Sequence, residues 1–261
     1  MKFNPTLHEI VNEEAERLGK KPEPINASAK PDLEAKVEGT LENKGGFLEI
    51  GGVSYRGAIH TVHLLKGLLD NGALRTQDEW IEYSKQTQAR GEFYVPDFPL
   101  LHGIVTALHE QRNDGAKKNE IEEIRSGLKK QIRENWLLTL TRVRYNVAAN
   151  DQVINNFGMA DQYTKNGDFV GPDGAIKDVN APELYHALLG TNDVDKIRAV
   201  YKWLNGTDTH MWRVNARPEK GFHERVARLG ASSDGAYLNC DGDALSSDPA
   251  HGVRLVRAKK I

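Results

Sequence analysis

Along the first half of the chain, apolar residues recur every three or four positions, which is the spacing of one face of a helix. Residues 59–72 (IHTVHLLKGLLDNG) carry four leucines on one such face, and Gly72 ends the pattern. Residues 118–136 place four apolar residues on one stripe: Ile121, Ile124, Leu128 and Ile132. The pattern predicts that both stretches are helices that bury these residues in a core.

Two further helices are marked by residues that start helices. Residues 76–91 open with Thr76 and Glu79 at the spacing of a capping box, in which each side chain binds a free backbone N–H of the first turn. Asp97 is the candidate cap of another helical stretch, DFPLLHGIVTALHEQRND, with a proline in its first turn. The sequence therefore predicts a mostly helical supporting region over residues 46–130, which begins with a glycine-rich hairpin, GGFLEIGGVSYRG.

β-branched and aromatic residues become common after Trp136. The later part of WLLTLTRVRYNV is typical of a strand, and four shorter strands are predicted near the end of the chain: HMWRVNARP, HERVARLGA, AYLNC and GVRLVRA. Two helices are predicted before these short strands, PELYHALLG and NDVDKIRAVYKWLNG, the second ending at Gly206. Helices come first and strands mostly last, which indicates an α+β fold rather than alternating β-α-β units.

The start of the chain is rich in proline and charge. IVNEEAERLGKK suggests a short helix and KPEPINASAKPDLEAK a linker, so residues 1–45 are predicted to be a peripheral segment or linker. Residues 131–261 hold most of the predicted strands and form the second main region.

Composition changes this picture mainly by exclusion. The 261 residues carry a net charge of −2, which gives no reason to expect nucleic acid or an anionic membrane as a partner. The single cysteine, Cys240, excludes an internal disulfide and disfavours a disulfide-stapled secreted domain. No apolar signal segment or membrane-spanning run is visible, so a cytoplasmic protein without membrane insertion is predicted. Display on a particle or cell surface by another route stays open.

Candidate metal ligands are present but incomplete. His60 and His63 have a spacing that would place both on one helix face, yet no cysteine or carboxylate at an obvious spacing completes a site. Asp241, Asp243 and Asp248 offer oxygen ligands for calcium or magnesium, but the stretch does not match an EF-hand loop, and a solvated loop is favoured. The sequence therefore predicts neither a bound metal nor a cofactor.

No set of residues typical of catalysis stands out. Cys240 has no sequence context that marks a nucleophile, and a small buried residue on the strand AYLNC is the favoured interpretation. Neither GVSYRG nor GPDG has the lysine and the strand–loop–helix context of a phosphate-binding loop. The sequence therefore predicts a protein that is not an enzyme.

The stretch from Arg225 to Ala258 lacks a particular set of residue types. It contains no lysine, glutamate, glutamine, methionine or tryptophan, although lysine and glutamate are common elsewhere in the chain. Turns favour Gly, Ser, Asp and Asn, but that preference does not account for the complete loss of lysine and glutamate. Two sets of positions also interleave here. The small set, interpreted as inward, is Ala231, Ser233, Gly235, Ala236, Leu238 and Cys240.

The segments WRVN, RVARLGASSDGAYLNCDGD and GVRLVRA resemble the C-terminal variable region of proteins diversified by diversity-generating retroelements. Members of that family carry a C-type lectin fold of the formylglycine-generating-enzyme type and usually end in a strand like GVRLVR. Replacement of adenines in their template codons gives a restricted residue set, which excludes the types missing here. The resemblance implies a C-type lectin-like domain over residues 131–261, with a variable ligand-binding surface at about residues 229–251.

A surface that tolerates substitution must project from a scaffold that does not depend on it, and alternation along strands gives that arrangement. Leu238, Val253, Leu255 and Val256 are predicted to hold the core. The outward, ligand-binding positions are predicted to be Gly230, Ser232, Asp234, Tyr237, Asn239, Asp241, Asp243, Ser246, Asp248 and His251. Surfaces rich in Tyr, Ser, Gly and Asn are typical of antibody paratopes, so the predicted partner is a protein or glycan.

Three other functions compete with a non-enzymatic ligand-binding protein. An enzyme of the formylglycine-generating type uses a pair of cysteines, and the chain has one. A calcium-dependent lectin carries a Glu-Pro-Asn or Gln-Pro-Asp triplet, which is missing. A structural or assembly domain of a larger particle, docked through the helical region, is the third alternative. The sequence names neither the ligand nor the oligomeric state.

Overall fold

Runs of β-branched residues and tight turns build two β-sheets in this protein. The structure is a computed structural model that describes residues 41–43, 46–115, 117–148 and 150–260. These residues all belong to one compact unit. The architecture is mixed α/β, with two sheets and, in the described ranges, five α-helices. The short helix and the linker predicted for the start of the chain lie outside the described residues.

The smaller sheet has four antiparallel strands in the order β1-β2-β3-β11. They are β1 (Leu41–Asn43), β2 (Phe47–Tyr55), β3 (Ala58–Leu68) and β11 (His251–Lys260). A two-residue turn at Arg56 and Gly57, with φ of 51° and 71°, joins β2 to β3. Positive φ at both positions matches the twist of a hairpin. The sheet therefore combines a local hairpin with a strand from a distant part of the chain.

The helix predicted for residues 59–72 is wrong. The stretch forms strand β3 up to Leu68, and a single turn of 3-10 helix follows. The reason is tertiary pairing, since β3 lies between β2 and β11 and buries Val62 and Leu64 in the main core. The predicted glycine-rich hairpin is also shifted, because β2 runs through Gly52 (φ 77°) with a change of register. The supporting region thus begins with two long strands.

The larger sheet has seven strands in the order β6-β5-β4-β9-β10-β8-β7. They are β4 (Leu137–Asn146), β5 (Asp151–Asn155), β6 (Tyr163–Gly167), β7 (Gly174–Ala175), β8 (Thr209–Trp212), β9 (Phe222–Ala231) and β10 (Ala236–Gly242). Neighbours are antiparallel except β8 and β10, which run parallel. The short strands predicted near the end of the chain are confirmed. Three of them lie side by side here, whereas the last, GVRLVRA, joins the smaller sheet.

Local signals predict all five α-helices of the described residues. They are α1 (Gln77–Ala89), α2 (Phe98–Gln111), α3 (Lys118–Glu134), α4 (Pro182–Leu189) and α5 (Val194–Asn205). Thr76 and Glu79 form the predicted capping box of α1, and Asp97 accepts a hydrogen bond from the Leu100 backbone N–H (2.9 Å) at α2. Gly206 (φ 87°) ends α5 in the left-handed conformation that favours glycine. The apolar stripe predicted on α3 is buried.

The main core is formed by the inner faces of both sheets and by helices α2 to α5. Helix α1 lies on the opposite face of the larger sheet, where Trp80 and Ile81 pack with Leu138 of β4. It leaves the part of that face formed by β8 and β10 uncovered, so that Trp212 and Asp241 are exposed. The candidate site lies on this uncovered part.

Candidate ligand-binding face

Strand β10 separates inward from outward side chains by alternation. Ala236, Leu238 and Cys240 are fully buried, whereas Tyr237 is half-buried and Asp241 is exposed on the opposite face. The burial predicted for Leu238 is confirmed. Changes at Tyr237 and Asp241 therefore leave the core residues of this strand untouched.

Tyr237 lies at the centre of an aromatic cluster on the uncovered face. Its ring centroid is 5.7 Å from that of Trp212, 6.0 Å from that of Trp136 and 6.1 Å from that of His210. The strand register produces this cluster, since Tyr237 stands opposite His210 on β8 and Gly230 on β9. Trp212 is 44% exposed, so ring surface is accessible to a ligand. These four rings are called the aromatic face below.

Two glycines make room for the aromatic face. Gly230, predicted to be an outward position, is buried beneath Trp136, and a Cβ there would lie 2.6 Å from the indole. A Cβ on Gly235 would lie 2.7 Å from His210 and 2.8 Å from Tyr237. The outward exposure predicted for Gly230 is therefore wrong, because the indole occupies the space above it.

A tight turn between β9 and β10 fixes the hydroxyl of Tyr237. The hydroxyls of Ser232 and Tyr237 share a hydrogen bond of 2.6 Å, and the Ser232 Oγ also accepts one from the Asp234 backbone N–H (3.0 Å). The Ser232 backbone N–H donates to the Gly235 carbonyl (2.8 Å), which closes the turn. Asp234 is exposed at the tip. Three predicted site residues, Ser232, Asp234 and Tyr237, are thus brought together.

Asn239 is less accessible than the sequence predicts. It lies on the same face as Trp212 and Arg228, its register partners on β8 and β9, but it is only 7% exposed. Its side-chain oxygen accepts a hydrogen bond from the Asp241 backbone N–H (2.9 Å). The outward exposure predicted for Asn239 is wrong, because long neighbours flank it and its amide is bound to its own strand. The exposed carboxylate of Asp241 pairs with Arg225 (2.7 Å).

Residues 243–250 carry the chain from β10 in the larger sheet to β11 in the smaller one, and they are called the crossover loop here. Asp243 stabilises its first turn, since the carboxylate accepts a hydrogen bond from the Leu245 backbone N–H (2.9 Å). Asp243 and Leu245 are exposed and Ser246 is half-buried. The first part of the crossover loop therefore faces solvent, as predicted.

Asp248, in the second part of the loop, holds other elements together. Its side chain is 14% exposed and forms an ion pair with Arg228 (2.6 Å). Its carbonyl accepts a hydrogen bond from the Trp80 indole N–H (2.8 Å), and its backbone pairs with that of Arg75. Asp248 therefore fixes both α1 and the loop to β9, and the outward position predicted for it is wrong.

His251 is buried as well, with 2% exposure, and it is the first residue of β11. Its Nε2 hydrogen-bonds the Gln131 side chain of α3, and burial lowers its pKa to about 4, so the ring is neutral at pH 7. The outward position predicted for His251 is therefore wrong.

The other residues predicted to be buried in β11 differ in exposure. The burial predicted for Val253 is confirmed and Leu255 is half-buried. Val256 is 40% exposed, against prediction, because the register between β11 and β3 shifts there.

Sequence reasoning missed Trp136, His210 and Trp212 as site residues. Each lies in or beside a stretch that the sequence predicts as a strand. That position is the one sequence feature that could have indicated a place on the same sheet as Tyr237. Their meeting with Tyr237 depends on the parallel pairing of β8 with β10, which no local turn marks in the sequence.

The described residues contain no group of three or more His, Cys, Asp or Glu side chains that could hold a metal ion. His60 and His63 lie on strand β3 and not on a helix. His60 Nε2 lies 3.2 Å from the Tyr55 carbonyl oxygen, and His63 Nε2 lies 2.8 Å from the Glu49 carboxylate.

Burial raises the pKa of the Cys240 thiol to about 12, so the thiol is protonated at neutral pH and is a poor nucleophile.

No family model matches the chain, and neither a curated protein nor a solved structure matches it. Within the described residues, no helix combines the length and the apolarity that crossing a bilayer requires. The geometry of the aromatic face is therefore the main guide to function.

Proposed function

We propose that this protein is a non-enzymatic ligand-binding protein that displays a diversified surface, built on the aromatic face, to a protein or glycan. The observation that carries the proposal is the position of Tyr237. Its ring is held among three other rings, while its neighbours in β10, Ala236 and Leu238, are fully buried. Rigid aromatic side chains beside short polar ones give large contact area at low entropic cost, as they do in antibody paratopes.

The aromatic face combines constant and variable positions in this proposal. Trp136, His210 and Trp212 lie outside residues 225–258, the stretch that lacks the residue types excluded by the diversification of the resembled family. Tyr237 lies inside it. A constant platform of rings would supply affinity to every variant, and the residues of the variable stretch would supply specificity.

The scaffold in the proposal is a C-type lectin fold of the formylglycine-generating-enzyme type, as the resemblance implies. The closing strand GVRLVRA supports it, because β11 pairs with β3 and buries Val253 in the main core. The turn between β9 and β10 that contains Ser232, and the crossover loop, are then each anchored at both ends by strands whose core residues stay fixed. Such anchoring lets exposed positions change without loss of the fold.

Two matched libraries test whether the proposed surface is independent of the fold. The first randomises outward positions: Asp234, Tyr237, Asp241 and Asp243. The control library randomises buried positions of the same strand: Ala236, Leu238 and Cys240. We expect most members of the first library to be soluble with melting temperatures near that of the wild type, and most members of the second to be unfolded. Equal losses in both libraries would contradict the proposal.

Selection tests whether the surface binds. The first library is displayed on phage and selected against one purified protein, lysozyme. In a recovered binder, Trp212→Ala should weaken affinity by at least about tenfold, because a central aromatic residue carries much of the binding energy. Phe222→Ala is the control, since Phe222 is 52% exposed and lies outside the aromatic face. If Trp212→Ala and Phe222→Ala weaken the affinity of a binder equally, or if neither weakens it, the aromatic face is not the binding surface.

Natural variation provides an independent test. Sequences of close relatives should differ at Tyr237 and Asp241 while Leu238 and Val253 stay constant. The flanking DNA should hold a near-identical repeat of the variable stretch and a reverse transcriptase gene. Uniform drift along the chain would contradict diversification.

A further inference from the structure

An open cavity of about 630 Å³ lies between the β2–β3 turn, helix α2, strand β6 and the segment that joins α4 to α5. It shares no lining residue with the aromatic face, so it is a separate feature of the fold. Its volume falls in the range of sites that hold small organic molecules.

The charged side chains that line this cavity have one sign. Arg56, Lys165 and Lys196 line it, and no aspartate or glutamate is found among its described lining residues. Two of the three cations have partners: Arg56 pairs with Asp161 (2.9 Å) and Lys196 with Glu110 (2.7 Å). These four side chains are each more than a third exposed, and exposed pairs of this kind contribute little free energy. Both cations can therefore turn towards a bound anion at low cost.

Lys165 is the uncompensated charge of the cavity. It is exposed on β6, and within the described part of the chain it has no ion-pair partner. Since an unpaired cation in a concave surface concentrates its field on whatever enters, the cavity favours a negatively charged occupant.

One wall of the cavity is made by Tyr55 and Tyr163 and is called the tyrosine wall here. The Tyr55 hydroxyl donates to the buried carboxylate of Asp97 (2.8 Å) and accepts a hydrogen bond from the Asn156 side-chain amide (3.1 Å). The Arg56 guanidinium lies 4.5 Å from the centroid of the Tyr163 ring. The tyrosine wall is thus held in place before any ligand arrives, which lowers the entropic cost of binding.

The floor of the cavity is uncharged. His102 on α2 is buried, and burial lowers its pKa to about 3, so the ring is neutral at pH 7. Its Nδ1 lies 3.2 Å from the Tyr201 hydroxyl. Gly103 brings α2 close to β2, because a Cβ there would lie 2.6 Å from the Ser54 carbonyl oxygen. A closed neutral floor beneath a cationic rim suits a molecule with an uncharged body and an anionic group.

We propose that this cavity binds a small organic anion, whose carboxylate or phosphate group is held by Lys165, Arg56 and Lys196. The uncharged body of the molecule lies against the tyrosine wall. This site does not depend on the proposed role of the aromatic face, because no residue is shared and either site can exist without the other.

Calorimetric titration of the full chain with simple probes tests the proposal. The anionic probes are phenyl phosphate and benzoate, and benzyl alcohol is the neutral probe of similar shape. We expect at least one anion to bind with a Kd of about 10 mM or tighter, and benzyl alcohol to bind at least about tenfold more weakly. Binding of phenyl phosphate alone identifies a phosphate site, and binding of both anions identifies a general anion site.

Charge variants locate the binding. Lys165→Glu should weaken binding of the anion by at least about tenfold, whereas Lys165→Arg, which keeps the charge, should stay within about threefold of the wild type. Lys130→Glu makes the same charge change on α3, where the side chain is 73% exposed, and should leave binding unchanged. Absence of binding by both anions overturns the proposal, as does an equal effect of Lys165→Glu and Lys130→Glu. Circular dichroism confirms that the variants are folded.

Discussion

The polar stretch from the end of β9 to the start of β11 contains two segments, called the display half and the latch half, that share small and polar residues and differ in what they contact. The display half, Ser232–Asp243, places Tyr237 beside the exposed ring of Trp212 and Asp241 in solvent. The latch half, Asp248–His251, is almost fully withdrawn from solvent and joins separate elements. Small, polar and turn-like residues are therefore no guide to exposure, since their partners decide it.

The position of the latch half explains the difference. The chain has to leave the larger sheet at β10 and enter the smaller sheet at β11. Asp248 ties this passage to β9 through Arg228 and to α1 through Trp80. His251 ties its end to α3 through Gln131. The display half has no such task, because its turn joins β9 to β10, which are adjacent antiparallel strands of the same sheet.

The largest effect is expected where the display half touches the core. Leu238→Ala should lower the free energy of unfolding by about 3 kcal/mol, because it removes a fully buried side chain and leaves a cavity. Urea unfolding followed by circular dichroism measures the loss. A loss no greater than that of Tyr237→Ser would erase the distinction between the inward and outward sides of β10.

A matched pair of aspartates compares the two halves directly. Asp248→Ala should cost about 2–3 kcal/mol, since Arg228, with a side chain only 12% exposed, loses its carboxylate partner. Asp241→Ala removes the partner of Arg225, whose side chain is 32% exposed, and should cost less than about 0.5 kcal/mol. Thermal and urea unfolding of both variants gives the two values. Equal costs would show that Asp248 is not a latch.

His251 makes the latch half sensitive to acid. Burial lowers its pKa from 6.5 to about 4, so its neutral form stabilises the fold fully above pH 6.5, and this contribution is lost as the pH falls towards 4. Between pH 7 and pH 4 the wild type should lose about 2–3 kcal/mol relative to His251→Gln, which does not titrate.

Unfolding free energies of both proteins at several pH values provide the measurement. Burial raises the pKa of Asp97 to about 6, which acts on stability in the opposite direction. That contribution is present in both proteins and cancels in their difference. Parallel curves for the two proteins would contradict the burial of a neutral His251.

The smallest effect is expected at the centre of the display half. Tyr237→Ser should cost about 1 kcal/mol or less, because the ring is half-buried and its loss removes contacts with the other three rings of the aromatic face. Urea unfolding checks this value beside that of Leu238→Ala. A cost of about 3 kcal/mol would mean that Tyr237 stabilises the fold, so that its substitution would destabilise the protein.

Features set by neighbours in the chain could be predicted from the sequence. The caps at Thr76 and Asp97, the stripe on α3 and the alternation around Leu238 all depend on residues within a few positions of one another. The strand state of β3 could not be predicted in this way, because its leucines would suit a helix face and only pairing with β2 and β11 decides the outcome.

The same limit applies to the candidate site. The outward position of Tyr237 follows from local alternation, so the sequence could predict it. The burial of Asp248 and His251 depends on Arg228, Trp80 and Gln131, which lie in three different elements. No spacing within the stretch indicates which of its aspartates will meet an arginine from elsewhere.

The pairing of β11 with β3 has a consequence for how the protein is synthesised. The Arg254 guanidinium contacts His63 across 191 positions of sequence, so β3 emerges from the ribosome long before its second neighbour does. During that interval one edge of β3 is an open template for another chain. Closure of the smaller sheet is a late, non-local step, which slows folding. Nascent chains that stall before β11 therefore leave this edge of β3 without its partner strand.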